Sequence, residues 1–285
     1  MVRRVLLLLV CAGGAGATAS AQDAVSVFGG AQVNAGRYGG DRAVSTVGLS
    51  LGTVVTQGRW RVWAAVPYLF QDAATVRTVG AGMLPVGGSV HPSMNGTTGT
   101  ATGGMMGTSG MHGFNTGGSG MTGHAGPGDP LVRLDATLIG SPASSVRVAM
   151  YSAVKLPLAS TSSGLGTGRW DEAIGGTFAR WQGAFAVLGD VSYWHLGRAA
   201  GDPLRDVASG TLTLARALGA SGHHLYGSLI ATSPYAAGAD APVQVVAGWS
   251  HRGADHRTLA VTAGAGVTKT APAVSLTTTW QWGLR

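Results

Sequence analysis

The segment Val146–Lys155, VRVAMYSAVK, alternates. Val146, Val148, Met150 and Val154 fall on one side, continued by Leu156. Arg147, Ala149, Tyr151, Ala153 and Lys155 fall on the other. A strand has a side-chain period of two, so this is a ribbon with one apolar face and one face carrying two cations. A soluble sandwich buries the apolar face and wets the other. A transmembrane barrel presents the apolar face to lipid and keeps charge in its lumen. Pro157 ends the ribbon because it donates nothing to a ladder. A Gly/Ser/Thr loop follows, and a new strand opens after Asp171.

The unit repeats. Twelve candidate strands are expected near residues 24–34, 43–56, 60–70, 129–139, 146–156, 173–180, 184–196, 207–218, 225–233, 243–252, 258–268 and 273–282. In the third, Trp60, Val62, Ala64, Val66, Tyr68 and Phe70 share a face and Arg61 opposes them. Aromatics at both ends with small aliphatics between form the girdle pattern of a membrane strand. In the fourth, Val132, Leu134, Ala136 and Leu138 oppose Arg133, Asp135 and Thr137.

Connection lengths also alternate, with tight turns such as Gln57-Gly58 and Gln182-Gly183 between longer loops; only the last, 269–272, breaks the trend. An even strand number, short periplasmic turns and longer external loops describe an outer-membrane barrel. The expected fold is therefore all-β: an antiparallel transmembrane β-barrel of about twelve strands. Both termini would be periplasmic, and one long Gly/Met-rich loop external. A secreted β-sandwich is the alternative, but it does not require charges to fall systematically opposite an aromatic-flanked apolar face.

Composition agrees. Only 11% of the 285 residues are charged, against roughly 25% in ordinary soluble domains, and 48 are Gly. Residues 1–21 read as a secretory signal: Arg3 and Arg4, a short apolar core, then Ala19-Ser20-Ala21 as cleavage site. Cys11, the one cysteine, lies inside it, so the mature barrel, residues 22–285, has neither disulfide nor thiolate chemistry. The formal net charge is +7, spread singly along the chain. No Lys/Arg cluster marks nucleic-acid binding. The expected partners are outer-membrane lipid and a small-molecule solute.

At Lys155-Leu156-Pro157 and Gly164-Leu165-Gly166-Thr167-Gly168-Arg169-Trp170-Asp171, the chain resembles a bacterial family of outer-membrane barrels, the MetA-pathway of phenol degradation family. The shared pattern is a strand ending in KLP, a small-residue loop, then LGTG and an acidic residue opening the next strand. The following Phe178-Ala179-Arg180-Trp181 strand end also fits. The resemblance implies a twelve-stranded, porin-like channel for small, hydrophobic or aromatic solutes.

Three groups of residues bear on function. The inward-facing Arg61, Arg133, Asp135, Arg147, Lys155 and Asp190 are candidates to set selectivity in a lumen, or to form structural ion pairs across it. The segment 71–128 is expected to be a long irregular loop. It has 58 residues, 17 of them Gly, and six of the chain's eight Met. Its Met94, Met105, Met106, Met111, His112, Met121 and His124 are soft-to-borderline ligands of the kind that select Cu(I) or Ag(I). The same segment fits a low-complexity loop, or one that folds into the lumen and narrows it. Third, His223-His224 is expected in a periplasmic turn.

For an enzyme the signals are poor. Asp171 and Glu172 are adjacent and so point to opposite faces. His195 is close in sequence to Asp190, but no nucleophile motif accompanies it. The expectation is no catalysis. Two functional readings stand: passive passage of small solutes through an outer membrane of Gram-negative type, with no cofactor, and copper binding by the Met/His loop. A purely structural or adhesive barrel is a third.

Overall fold

Alternation of this kind needs a ring, because an open edge in lipid would strand a row of backbone donors and acceptors. The computed structural model describes residues 24–38, 43–71, 76–79, 82–85, 124–141, 144–161, 165–198, 204–219, 221–236, 238–253 and 257–284. In chain order the strands are β1 (Ala24–Gly36), β2 (Val44–Gln57), β3 (Trp60–Gln71), β4 (Val76–Val79), β5 (Gly82–Pro85), β6 (His124–Pro127), β7 (Leu131–Ile139), β8 (Val146–Lys155), β9 (Asp171–Gln182), β10 (Phe185–Leu196), β11 (Val207–Ala217), β12 (His223–Thr232), β13 (Val243–Arg252), β14 (Arg257–Gly266) and β15 (Val274–Leu284). The described residues contain no helix.

Twelve of these strands close an antiparallel barrel. Each pairs with its neighbour from β1 through β3 and then from β7 through β15, with β3 joined to β7. The ring closes where β15 meets β1 in a register running from Val25↔Leu284 to Ala35↔Val274. The connections at one end are short, and both strand termini that make the seam lie at that end. In the hairpins of Gly58 and Gly183 the tight turn needs positive φ, 58° at each, which glycine adopts without cost.

The faces agree with the sequence reading. Val62, Val66, Tyr68 and Phe70 of β3 are exposed on the outside, while Trp63, Leu69 and Gln71 are buried inside. Aromatics ring both ends of the outer wall: Trp60, Phe185 and Trp282 near the short turns, Tyr68, Phe70 and Tyr193 near the long loops. Among the described strand residues, outward charges occur only near strand ends, at Glu172, Arg180, Arg216 and Arg257. The interval between is Val, Leu, Ile, Met, Ala and Gly with a few Thr, as hydrocarbon requires.

Three details differ from the sequence expectation. The segment 71–128 is not irregular throughout. Gln71 completes β3, β4 and β5 form a hairpin, and β6 pairs with β3 from Tyr68↔Pro127 to Gln71↔His124. β6 reads His-Ala-Gly-Pro and has no alternation to betray it; the free edge of β3 beyond the start of β7 recruits it. The sixth barrel strand begins at Asp171 rather than 173. His223 and His224 are not in a turn but open β12. The His223 ring packs 4.4 Å from that of His251 and 5.6 Å from that of Trp249, and His224 turns inward and is buried. Residues 1–21, and with them the signal-segment expectation, lie outside the described residues.

Glycine has a packing role that composition alone does not disclose. Phe28 faces Gly52, Tyr151 faces Gly175 and Tyr226 faces Gly248 in direct cross-strand register on the inside; Trp280 faces Gly29 on the outside. A Cβ at any of these four glycines would collide with the partner ring. Each aromatic therefore lies flat over bare backbone, shielding it and fixing register. Gly175→Ala is expected to lower unfolding free energy by ~1–3 kcal/mol, the overpacking range. Gly189→Ala, with nothing within 4 Å of the added carbon, is expected to be neutral or stabilising by up to ~1 kcal/mol. Urea titrations of the refolded barrel in detergent check the contrast.

Candidate functional site

The inward face of β8 places Arg147, Ala149, Tyr151, Ala153 and Lys155 in a line along the barrel interior. Small residues at alternate steps leave room for the long side chains of β7, β9 and β10 to reach across. The Arg133 guanidinium donates through Nε and Nη2 to Asp135 Oδ1, at 2.9 and 2.5 Å. It also sits 3.4 Å from the centre of the Tyr151 ring. The Tyr151 hydroxyl donates to Asp190 Oδ1 at 3.2 Å. Arg61 stands in register with Asp135. These five side chains form one connected group on the inner surface of β3, β7, β8 and β10. Arg133 is 3% exposed and Asp190 6% exposed, so the group is tightly packed and its charges interact in a low local dielectric.

The rest of the wall has a different chemistry. From β10 round to β1 many inward positions are hydroxyls and amides, several linked into pairs: Ser192 with Ser209 at 2.8 Å, Thr213 with Ser228 at 2.8 Å, Gln244 with Ser275 at 2.6 Å, and Gln32 with Asn34 at 3.0 Å; Ala186, Leu188, Ala215 and Tyr226 form an apolar cluster among them. Several polar atoms on both walls find no partner among the described residues, including Asp190 Oδ2, Gln32 Oε1, Thr46 Oγ1, Thr232 Oγ1 and the Tyr226 hydroxyl. Buried polar atoms are normally hydrogen-bonded, so these enclosed atoms mark where the interior packing leaves polar groups unsatisfied. On the loop side of the charged group lies an apolar layer of Trp63, Ala65, Leu131, Ala153, Ala173 and Trp194. Phe28 stacks on Trp63 at 5.3 Å and 11°.

Lys155 shares the face but not the group. Its Nζ lies 2.9 Å from Asp129 Oδ2 and 3.0 Å from Asp171 Oδ2, and all three side chains are at most 1% exposed. The second oxygen of Asp129 accepts from the Ala159 N–H at 2.8 Å, and that of Asp171 from the Gly197 N–H at 2.9 Å. Lys155 also donates to Thr167 Oγ1 at 3.0 Å. The KLP and LGTGRWD ends quoted above are thus clasped to each other and, through Gly197, to the start of the next loop. The fourth strand is expected from residue 129, but β7 begins at Leu131, and Asp129 lies before Pro130 outside the ladder, where alternation does not report its direction. Arg147 points inward near the short turns, 5.4 Å from the Trp181 ring, and donates to the Ser141 carbonyl at 3.1 Å.

His195 and Asp190 do not meet. His195 faces outward, and its Nδ1 lies 3.0 Å from Asp206 Oδ2. Asp206 also accepts from the Tyr193 hydroxyl at 3.1 Å, the Leu196 N–H at 3.2 Å and Arg198 Nη2 at 2.5 Å. Desolvation pushes its pKa up, but the hydrogen bonds from His195, Leu196 and Tyr193 outweigh that and hold the carboxyl below its ordinary value. Asp171 is buried inside and Glu172 exposed outside, as alternation requires. Met94, Met105, Met106, Met111, His112 and Met121 lie outside the described residues, and of His124 only the backbone pairing is described.

No family model matches the chain, and no curated protein matches it. Solved structures do. An outer membrane channel from Pseudomonas putida F1 is 12% identical with a TM-score of 0.59, over 92% of this chain and 96% of that one. The beta domain of the Bordetella autotransporter BrkA is 13% identical with a TM-score of 0.50, over 91% and 99%. The chain thus has the fold of an outer-membrane β-barrel.

Two outcomes follow from the geometry. Lys155→Met leaves two buried carboxylates facing each other and is expected to cost ~3–5 kcal/mol of stability, the range for breaking a buried pair; urea titration of the refolded barrel measures it. Because the folded-state pKa of Asp206 is depressed, its contribution is present above the unfolded carboxylate value of ~3.9 and is lost as pH falls through the folded value. The melting temperature of wild type should therefore converge on that of Asp206→Asn as pH falls below ~3.9.

Proposed function

We propose that the barrel lets small solutes cross an outer membrane passively. The observation that carries this reading is the division of the interior: one wall holds the Arg61, Asp135, Arg133, Tyr151 and Asp190 group, and the facing wall carries uncharged hydroxyls and amides beside a small apolar cluster. The resemblance of the chain's KLP and LGTG segments to barrels of the MetA-pathway of phenol degradation family, and the shared fold of the Pseudomonas putida channel, support the same reading.

The charged group acts as the selectivity element, together with Arg147 toward the short turns. Three guanidiniums against two carboxylates make the passage weakly cationic, and charges lining a constriction bias which ions and dipoles enter. Their low exposure favours small solutes over large ones. The apolar layer of Trp63, Leu131 and Trp194 beside that group suits solutes with a hydrophobic or aromatic portion and a polar end. Lys155 has a structural part in this reading: its clasp with Asp129 and Asp171 ties strand ends on the loop side together while the lining group meets the solute.

Refolded protein in planar bilayers tests this. Wild type should conduct in small steps with a slight anion preference in a salt gradient. Arg133→Gln should move the reversal potential toward cations and Asp190→Asn toward anions. Absence of any conductance from correctly folded, heat-modifiable protein contradicts the reading, as does conductance with reversal potentials unmoved by both substitutions.

A further inference from the structure

The lipid-facing wall carries a feature that solute passage does not use. On the outside of β10 to β13, near the short turns, a groove of about 380 Å³ is bounded by Phe185, Leu214, Arg216, Leu225, Gly227 and Ala247. Register explains it. One outward row runs Leu214↔Gly227↔Ala247, so two neighbouring positions have little or no side chain between bulkier neighbours. The next row toward the turns runs Phe185↔Arg216↔Leu225↔Trp249, so a single cation stands among large apolar side chains at the mouth.

The position of that cation is repeated around the rim. Arg216 lies 5.6 Å from the Phe185 ring centre, Arg59 5.3 Å from that of Trp60, and Arg257 6.0 Å from that of Trp282. All three lie at the short-turn end. Among the described residues no outward arginine–aromatic stack lies at the long-loop end. Each arginine keeps its stem on apolar surface and its guanidinium at the level of the headgroups. At Arg216 such a cation sits over an apolar groove.

We propose that this groove is a binding site for one anionic phospholipid of the leaflet at the short-turn end, with an acyl chain over Gly227 and Ala247 and the phosphate on Arg216. Charge and shape point to the same occupant: an arginine presents a fork of donors to phosphate, and the groove floor is bare enough to admit a chain. The site is independent of whether solutes cross the interior.

Native mass spectrometry of the detergent-solubilised barrel, supplied with phosphatidylglycerol or phosphatidylcholine, tests it. Wild type should retain one phosphatidylglycerol in preference to phosphatidylcholine. Arg216→Gln should lower that retention about fivefold, the effect of one cation near a headgroup, and erase the preference. Gly227→Leu should abolish retention of either lipid. It fills the groove without strain, because a Cβ there meets nothing closer than the Val246 carbonyl at 3.9 Å. Leu49→Phe, on the opposite lipid-facing wall, should change nothing. Heat-modifiable mobility of each variant confirms folding. Equal retention by wild type and Gly227→Leu overturns the proposal, as does equal loss in Leu49→Phe or a wild type that does not prefer the anionic lipid.

Discussion

Hydrocarbon offers no partner to a peptide N–H or C=O, and every other feature of this chain follows from meeting that constraint. The seam between β1 and β15 removes the last free edge of the ring, from Val25↔Leu284 to Ala35↔Val274. Once the ring is closed, each residue is either inside or outside, and a slip of one residue in β7 or β10 would carry Arg133 or Asp190 into lipid. A charge on the lipid face costs ~2–4 kcal/mol at mid-membrane, so a single slipped strand would lose a large part of the stability of a domain. Phase is thus enforced strand by strand, and the polar interior is its consequence.

Register along each ladder is set by a second device. Backbone bonds alone permit sliding by two residues, since that preserves the faces. The aromatic-over-glycine pairs forbid it: Tyr151 fits only opposite Gly175, and Phe28 only opposite Gly52. The same pairs seat the interior chemistry. Tyr151, held flat over Gly175, presents its ring to Arg133 and its hydroxyl to Asp190 in one position. Stability and the proposed selectivity element therefore share a side chain, and the lipid groove is the outer counterpart, where small residues at Gly227 and Ala247 are left uncovered.

The sequence disclosed much of this and for a clear reason. A period of two and alternating connection lengths are local properties, so the faces of Val132, Arg133, Leu134 and Asp135 and the number of barrel strands were legible without structure. What depends on pairing was not. Nothing in HAGP announces a strand, because β6 owes its form to the edge of β3. Tyr151 was visibly inward, yet its partners come from strands whose register the sequence does not state. Asp206 sits outside the strands, where no periodicity marks it, and Asp129 reads in the sequence as opening a strand that in fact begins at Leu131. His223 was lost to a turn because a pair of histidines after Ser221-Gly222 looks solvated, whereas its packing on Trp249 and His251 is a cross-strand event.

The central claim is the opposition of a lipid-facing apolar surface and a polar interior in one closed ring. Single cysteines placed in turn at Val132, Arg133, Leu134 and Asp135 of β7, carrying nitroxide labels in liposomes, report it directly through collision with oxygen and with a water-soluble nickel complex. The account predicts strong oxygen collision at Val132 and Leu134 and weak oxygen collision at Arg133 and Asp135, a period of two. Uniform accessibility along the strand, or oxygen collision strongest at Arg133 and Asp135, would contradict it.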